Sequence, residues 1–289
     1  MTKSATYYIS RITKNEYVDW GQITEAIKTM SVVSSDNYKY TIININEISP
    51  GILYGEFAKY EELGESEIID EINKKSRVEQ SENKAIAISP FIYWPEEAAI
   101  CYQHVWNHIR EEDFREYFQY LIAQIIAASG FEIIPITDDK EFFKRLIQFK
   151  QIYEIDATVT PNNPLFGPIW KDLGDYLRRR RAKKLKHKET SESGSSLSSR
   201  IVELAEKFQN SDLNLTDVDF GDRAIFMAID GYGYASIKGF DGNRILVLKT
   251  SDRHESFKFN KSPVPVELGY NFINIYNKMK ADRKWGHQQ

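Results

Sequence analysis

Apolar and polar residues alternate in "YYISRI" near the amino terminus, which predicts a strand, and the apolar positions of "WGQITEAIKTM" then recur at helical spacing. Two more strands are predicted in "YKYTIININEIS" and "ILYGEFAKYE", joined by a turn at Pro50-Gly51. "AIAISPFIYW" reads as another strand, stopped by Pro95. From Glu96 to Ala128 the spacing of Phe114, Phe118, Leu121, Ile122 and Ile125 predicts a long helix that Gly130 closes. A buried strand "FEIIPIT", a helix "DKEFFKRLIQFKQI" and a strand "YEIDATVTP" follow, the last running into "PNNP".

Between Pro168 and Lys188 the segment "PIWKDLGDYLRRRRAKKLKHK" is rich in good helix formers, and a helix is expected although its second half lacks an apolar stripe. "ETSESGSSLSS" reads as a flexible linker, with Ser198 or Ser199 placed to cap a helix in "RIVELAEKFQ". Three antiparallel strands are then expected in "RAIFMAID", "YASIKGF" and "RILVLKT", turning at Gly-Tyr-Gly-Tyr and at Asp241-Gly242. The chain closes with an amphipathic helix from Val266 to Trp285 that sets Leu268, Phe272, Ile275 and Met279 on one side. The pattern therefore predicts an α+β fold: an N-terminal α+β domain over 1–165, a basic helix and Ser-rich linker over 166–200, and a C-terminal α+β part with antiparallel strands over 201–289.

Composition supports real cores, with 289 residues of which 42% are hydrophobic. No apolar run is long enough to span a membrane, no signal-peptide core is present, and a single cysteine excludes an internal disulfide or a multi-cysteine zinc site. A cytosolic protein is expected. Charge changes the picture more. The formal net charge is -4, yet positions 178 to 188 hold eight Lys and Arg with no acid, which leaves 30 basic against 42 acidic side chains elsewhere, a balance of -12. Like charges at i, i+4 destabilise a helix, so the run of Arg178, Arg179, Arg180, Arg181, Lys183, Lys184, Lys186 and Lys188 points to a polyanion. Nucleic acid fits best, because such residues track phosphates without reading sequence. The competing explanation is internal pairing with the acidic stretch that places nine carboxylates between Glu56 and Glu82.

Other candidate chemistry is weaker. Cys101, His104 and His108 in "CYQHVWNH" would share a helix, but the general base of a zinc-protease helix is missing and no metal is expected there. Asp138 and Asp139 in "TDDKE" follow a strand, where magnesium-dependent nucleases often hold acids, yet Asp138 with Glu141 also fits a helix cap. Arg181 and His187 match a loose arginine-then-histidine spacing seen in helical ribonucleases. Tyr232, Tyr234 and Phe240 with Lys238 and Arg244 offer a stacking platform for unpaired bases, or plain cross-strand pairs. No Gly-rich phosphate loop is present, and no cofactor is expected.

"PLFGPIWKDLG" at 164–174 resembles the RexA-like family of lambda phage exclusion proteins, and the order of parts around it is similar. The resemblance implies a non-enzymatic, homodimeric DNA-binding protein of phage exclusion that acts with a membrane effector partner. It carries no catalytic residues across. From the residues, an RNA-directed effector or nuclease and a protein that docks an acidic partner remain alternatives. A dimer contact is expected on the terminal helix, where Tyr270, Phe272, Ile275 and Tyr276 offer large apolar surface.

Overall fold

Three separate stretches of the chain pair with β1 (Ser4–Thr13), and this sets the architecture. The fold comes from a computed structural model that describes every residue except 1–2, 15–16, 30, 71–74, 127–130, 161–170, 193–194, 210–217 and 284–289. With β2 (Val32–Ser35), β3 (Tyr38–Ser49), β4 (Ile52–Asp70), β5 (Lys75–Trp94), β6 (Ala99–Gln103), β7 (Glu132–Pro135) and β12 (Ser256–Asn260), β1 forms an antiparallel sheet in the order β12-β1-β6-β5-β4-β3-β2. β7 and β12 share one edge of β1, end to end. Strand alternation then sorts the side chains. Ile12, Phe57, Phe91 and Tyr102 face α1 (Trp20–Lys28) and α2 (Glu111–Ile125), whereas Tyr7, Ile9, Ile92 and Cys101 face α7 (Pro265–Asp282).

A second antiparallel sheet has the order β11-β10-β8-β9, from β8 (Gln151–Val159), β9 (Leu185–Thr190), β10 (Gly233–Phe240) and β11 (Ile245–Lys249). One face, with Ile155, Ala157, Ala235, Ile237 and Leu248, is buried under α3 (Asp139–Leu146), α4 (Lys171–Arg179), α5 (Ile201–Gln209) and α6 (Phe220–Met227). The fold is thus α+β, as the pattern predicts. The pairings cross the boundary expected near residue 165 in both directions: β12 completes the first sheet, and β8 lies between β9 and β10 in the second.

Several predicted elements change. The helix expected over 96–128 begins only at Glu111. Its first part is a 3-10 turn (Pro95–Glu97), the strand β6 and a turn through His104 to His108, because Ala99–Gln103 is wholly buried between β1 and β5. "RAIFMAID" is not a strand but α6 and a π-helical turn (Ala228–Tyr232). Ala224, Ile225, Phe226, Met227, Ala228 and Ile229 are all buried, so this helix shows no polar face from which a helical period could be read. The Ser-rich stretch is pinned to the sheet: Leu197 N–H donates to the Ile152 carbonyl (2.8 Å), and Ser196 Oγ accepts from Ile152 N–H (3.0 Å). Ser199 does cap α5, accepting from Ile201 N–H (3.1 Å). Gly130, "PNNP", Trp285 and most of the 164–174 stretch lie outside the described residues.

The two sheets meet at the π-helical turn. Gly231 there has φ +82°, and Arg11 and Ile136 close on the side a Cβ would occupy. Arg11 Nε donates to the Asp230 carbonyl (2.7 Å), and Thr160 N–H donates to the Tyr232 carbonyl (2.8 Å).

Candidate nucleic-acid interface

The basic run is not one helix. Its apolar stripe ends at Leu177, which is buried against the second sheet, and the helix ends two residues later. Arg181 N–H donates to the Arg178 carbonyl and Ala182 N–H to the Leu177 carbonyl, both at 2.9 Å, with Arg181 at φ +52°. These are the paired bonds of a Schellman C-cap, in which the left-handed residue is usually glycine. The chain then turns and re-enters the sheet as the edge strand β9, where Leu185, His187 and Glu189 alternate with exposed Lys186 and Lys188.

This geometry divides the eight cations into two groups. Lys184 pairs with Glu132 (2.8 Å), Lys188 with Glu154 (3.1 Å), Lys186 more distantly with Asp156 (3.9 Å), and Arg178 with Asp175 (2.5 Å). Internal pairing is therefore real, but its acids lie on β7, β8 and α4 and not in the stretch from Glu56 to Glu82. Arg179, Arg180, Arg181 and Lys183 are exposed and form no ion pair among the described residues. Beside them stand two exposed rings. Arg180 lies over Tyr176, 5.9 Å from its centroid, and Tyr176 meets Phe220 edge-on at 6.5 Å. No linear pattern joins the two aromatics, because Phe220 is 44 positions away from Tyr176 and only the docking of α6 against α4 and β9 brings them together.

The expected platform splits likewise. Tyr232 is buried (1% exposed) beneath Arg11, whose guanidinium lies 4.6 Å from the ring centroid, so it cannot stack on a base. Tyr234 and Lys238 do reach the bare face of the second sheet. Cross-strand rows on that face run Tyr234, Thr158, Lys186, then Lys249, Ser236, Asp156, Lys188, then Val247, Lys238, Glu154, Thr190.

The remaining candidates resolve by burial and partners. Cys101 is buried on the α7 face of the first sheet, and desolvation pushes its thiol up, away from ligand or nucleophile behaviour. His104 and His108 belong to a turn, so the helical spacing that would aim both at one metal does not exist. Asp138 caps α3 as the spacing predicts, accepting from Glu141 N–H (3.0 Å). Asp138, Asp139 and Glu255 offer oxygens within 4.8 Å of one another, but Arg283 fills the cluster, 2.9 Å from Asp139 and 3.0 Å from Glu255. A guanidinium there supplies the positive charge a metal would bring. His187 Nε2 bonds to Glu189 (2.7 Å) and its ring packs edge-on to Phe220, while Arg181 lies across the turn from β9. A half-buried pair that the sequence did not show is His254 with Glu111, 2.7 Å apart and 143 positions distant.

The architecture defines an α+β protein of two antiparallel sheets with a cationic, aromatic-flanked turn on the second. The chain belongs to a family described as a domain of unknown function, DUF4747, which matches residues 10–264. No curated protein matches it.

Proposed function

We propose that this protein binds nucleic acid without sequence preference through the turn between α4 and β9. The observation that carries the reading is the set Arg179, Arg180, Arg181 and Lys183, exposed and without an ion pair among the described residues, in a chain of net negative charge. Four cations held on one turn neutralise neighbouring phosphates and release their counterions, and that gain does not depend on base identity. Tyr176 and Phe220 add rings that can stack on an exposed base. Phage exclusion, a homodimeric state and a membrane effector partner belong to the same proposal and rest on the resemblance at 164–174.

Cleavage is the second reading, and the acid and the histidine it needs are engaged elsewhere. Asp139 is tied to Arg283 and His187 to Glu189. The deciding experiment is a gel-shift series with duplex DNA, single-stranded DNA and RNA of equal length, across salt, for the wild type and for Arg179→Gln/Arg180→Gln/Arg181→Gln/Lys183→Gln. If all four contact phosphates, the wild-type slope of log affinity against log salt on duplex is about -3.6, and the variant loses nearly all of it. Wild-type affinity indifferent to salt, or equal affinity in the variant, refutes the reading.

A further inference from the structure

The first sheet carries an arm. β3 pairs with β4 no further than Tyr60, and β6 pairs with β5 only from Phe91, so from Glu61↔Lys84 to Asp70↔Lys75 the two strands pair with each other alone. At the usual rise per residue this ribbon projects roughly 30 Å. An isolated two-stranded ribbon is marginal in water unless something packs on it. Yet its described side chains are mostly exposed, including Leu63 (72%) and Val78 (61%).

The register gives this ribbon one distinctive face. Glu61, Leu63, Glu65 and Glu67 of β4 share a face with Glu82, Gln80 and Val78 of β5, so four carboxylates surround two apolar side chains, while Lys84 folds over Gly64 on the other side. The chain also carries the complement. On the bare face of the second sheet, Ile245 (60% exposed) and Val247 (47%) stand beside Lys249 and Lys238, two ammonium groups with no ion pair among the described residues. Both faces are β surfaces whose side chains repeat every second residue, so charged and apolar positions come into step when one is laid on the other.

We propose that the acidic face of the arm docks on the bare face of the second sheet in another copy of this chain, each copy giving its arm to the other. The exchange is reciprocal, so both contacts form in one closed twofold dimer. Two contacts roughly 30 Å by 10 Å bury on the order of 1,200 Å² in total, at the lower edge of what a stable interface needs. This inference deepens the homodimer reading and leaves the turn at Arg179 to Lys183 open for nucleic acid.

Charge exchange tests it. Light scattering on nucleic-acid-free wild type is expected to give a mass near twice 33.6 kDa, and each of two variants, Glu65→Lys/Glu67→Lys/Glu82→Lys and Lys238→Glu/Lys249→Glu, a mass near 33.6 kDa. Mixing the two variants restores the doubled mass, because the altered arm then meets the altered sheet of opposite charge and the native arm meets the native sheet. That rescue also excludes misfolding as the cause of dissociation. A monomeric wild type overturns the dimer together with this inference. Variants that stay dimeric, or a mixture that stays monomeric, overturn the arm contact and leave the other readings standing.

Discussion

Arg283 Nε lies 2.9 Å from Asp139 Oδ2 with both side chains 4% exposed, which ties the end of α7 to the start of α3. The same guanidinium reaches Asp230 (3.2 Å) and Glu255 (3.0 Å), so one residue holds together the terminal helix, the π-helical turn and the approach to β12. Removing one member of a buried ion pair strands the other charge, at a cost of about 3–5 kcal/mol. Arg283→Met is expected to lose stability on that scale in urea denaturation, whereas Arg283→Met with Asp139→Asn recovers part of it. Equal losses in the single and double variants would show that the two residues are not coupled.

Acid should expose a second junction, between Glu111 and His254. Burial alone would raise the Glu111 carboxyl, but the hydrogen bond and charge of His254, with Arg115, hold it below its ordinary value of 4.5. A carboxylate depressed in the folded state binds fewer protons there than in the unfolded chain. Its stabilisation is therefore complete above the unfolded value and is lost as pH falls through the folded one. Asp139 and Glu255 have the opposite sign: burial outweighs the pull of Arg283, both are raised, and their ionisation costs less as pH falls. Glu111→Gln should consequently lie closest to the wild type at low pH, the stability gap closing as pH falls from the ordinary carboxylate value of 4.5 through the depressed folded one. A gap independent of pH would contradict this assignment.

Two neighbouring tyrosines should behave differently. Tyr232→Ala empties a buried site beneath Arg11 and is expected to cost roughly 3–5 kcal/mol. Tyr234→Ala, on the bare sheet face, should cost under about 1 kcal/mol. Thermal or urea unfolding of the two variants distinguishes them.

Arg181 sets stability against binding. Its φ of +52° is a conformation that glycine adopts without strain and arginine does not. Arg181→Gly should therefore gain about 1 kcal/mol in stability. The same change should weaken duplex binding and reduce the salt slope by about one. A variant that is more stable and binds equally well would remove Arg181 from the interface.

The terminal helix carries its own lesson. Its apolar side is real, but Phe272 and Tyr276 are fully buried against the first sheet, leaving Tyr270 (66% exposed) as the large side chain it offers outward. A stripe shows that a helix is covered, not by what.

By itself the sequence determined the local elements whose signals are short-range. Alternation placed β1, β3 and the hairpin β10–β11, the Asp241-Gly242 turn joined that hairpin, and Asp138 and Ser199 fixed the starts of α3 and α5. It also determined that charge is segregated. Tertiary structure decided where burial is uniform or partners are distant. β6 is buried on both faces and α6 is buried continuously from Ala224, so neither shows a period; β12 finds β1 across most of the chain. The division of the basic run was equally beyond reach, because β8 supplies acids to Lys186 and Lys188 only once β9 lies beside it. Ion pairs, like strand pairs, are made by neighbours in space, and a linear pattern encodes those only where the chain turns straight back on itself.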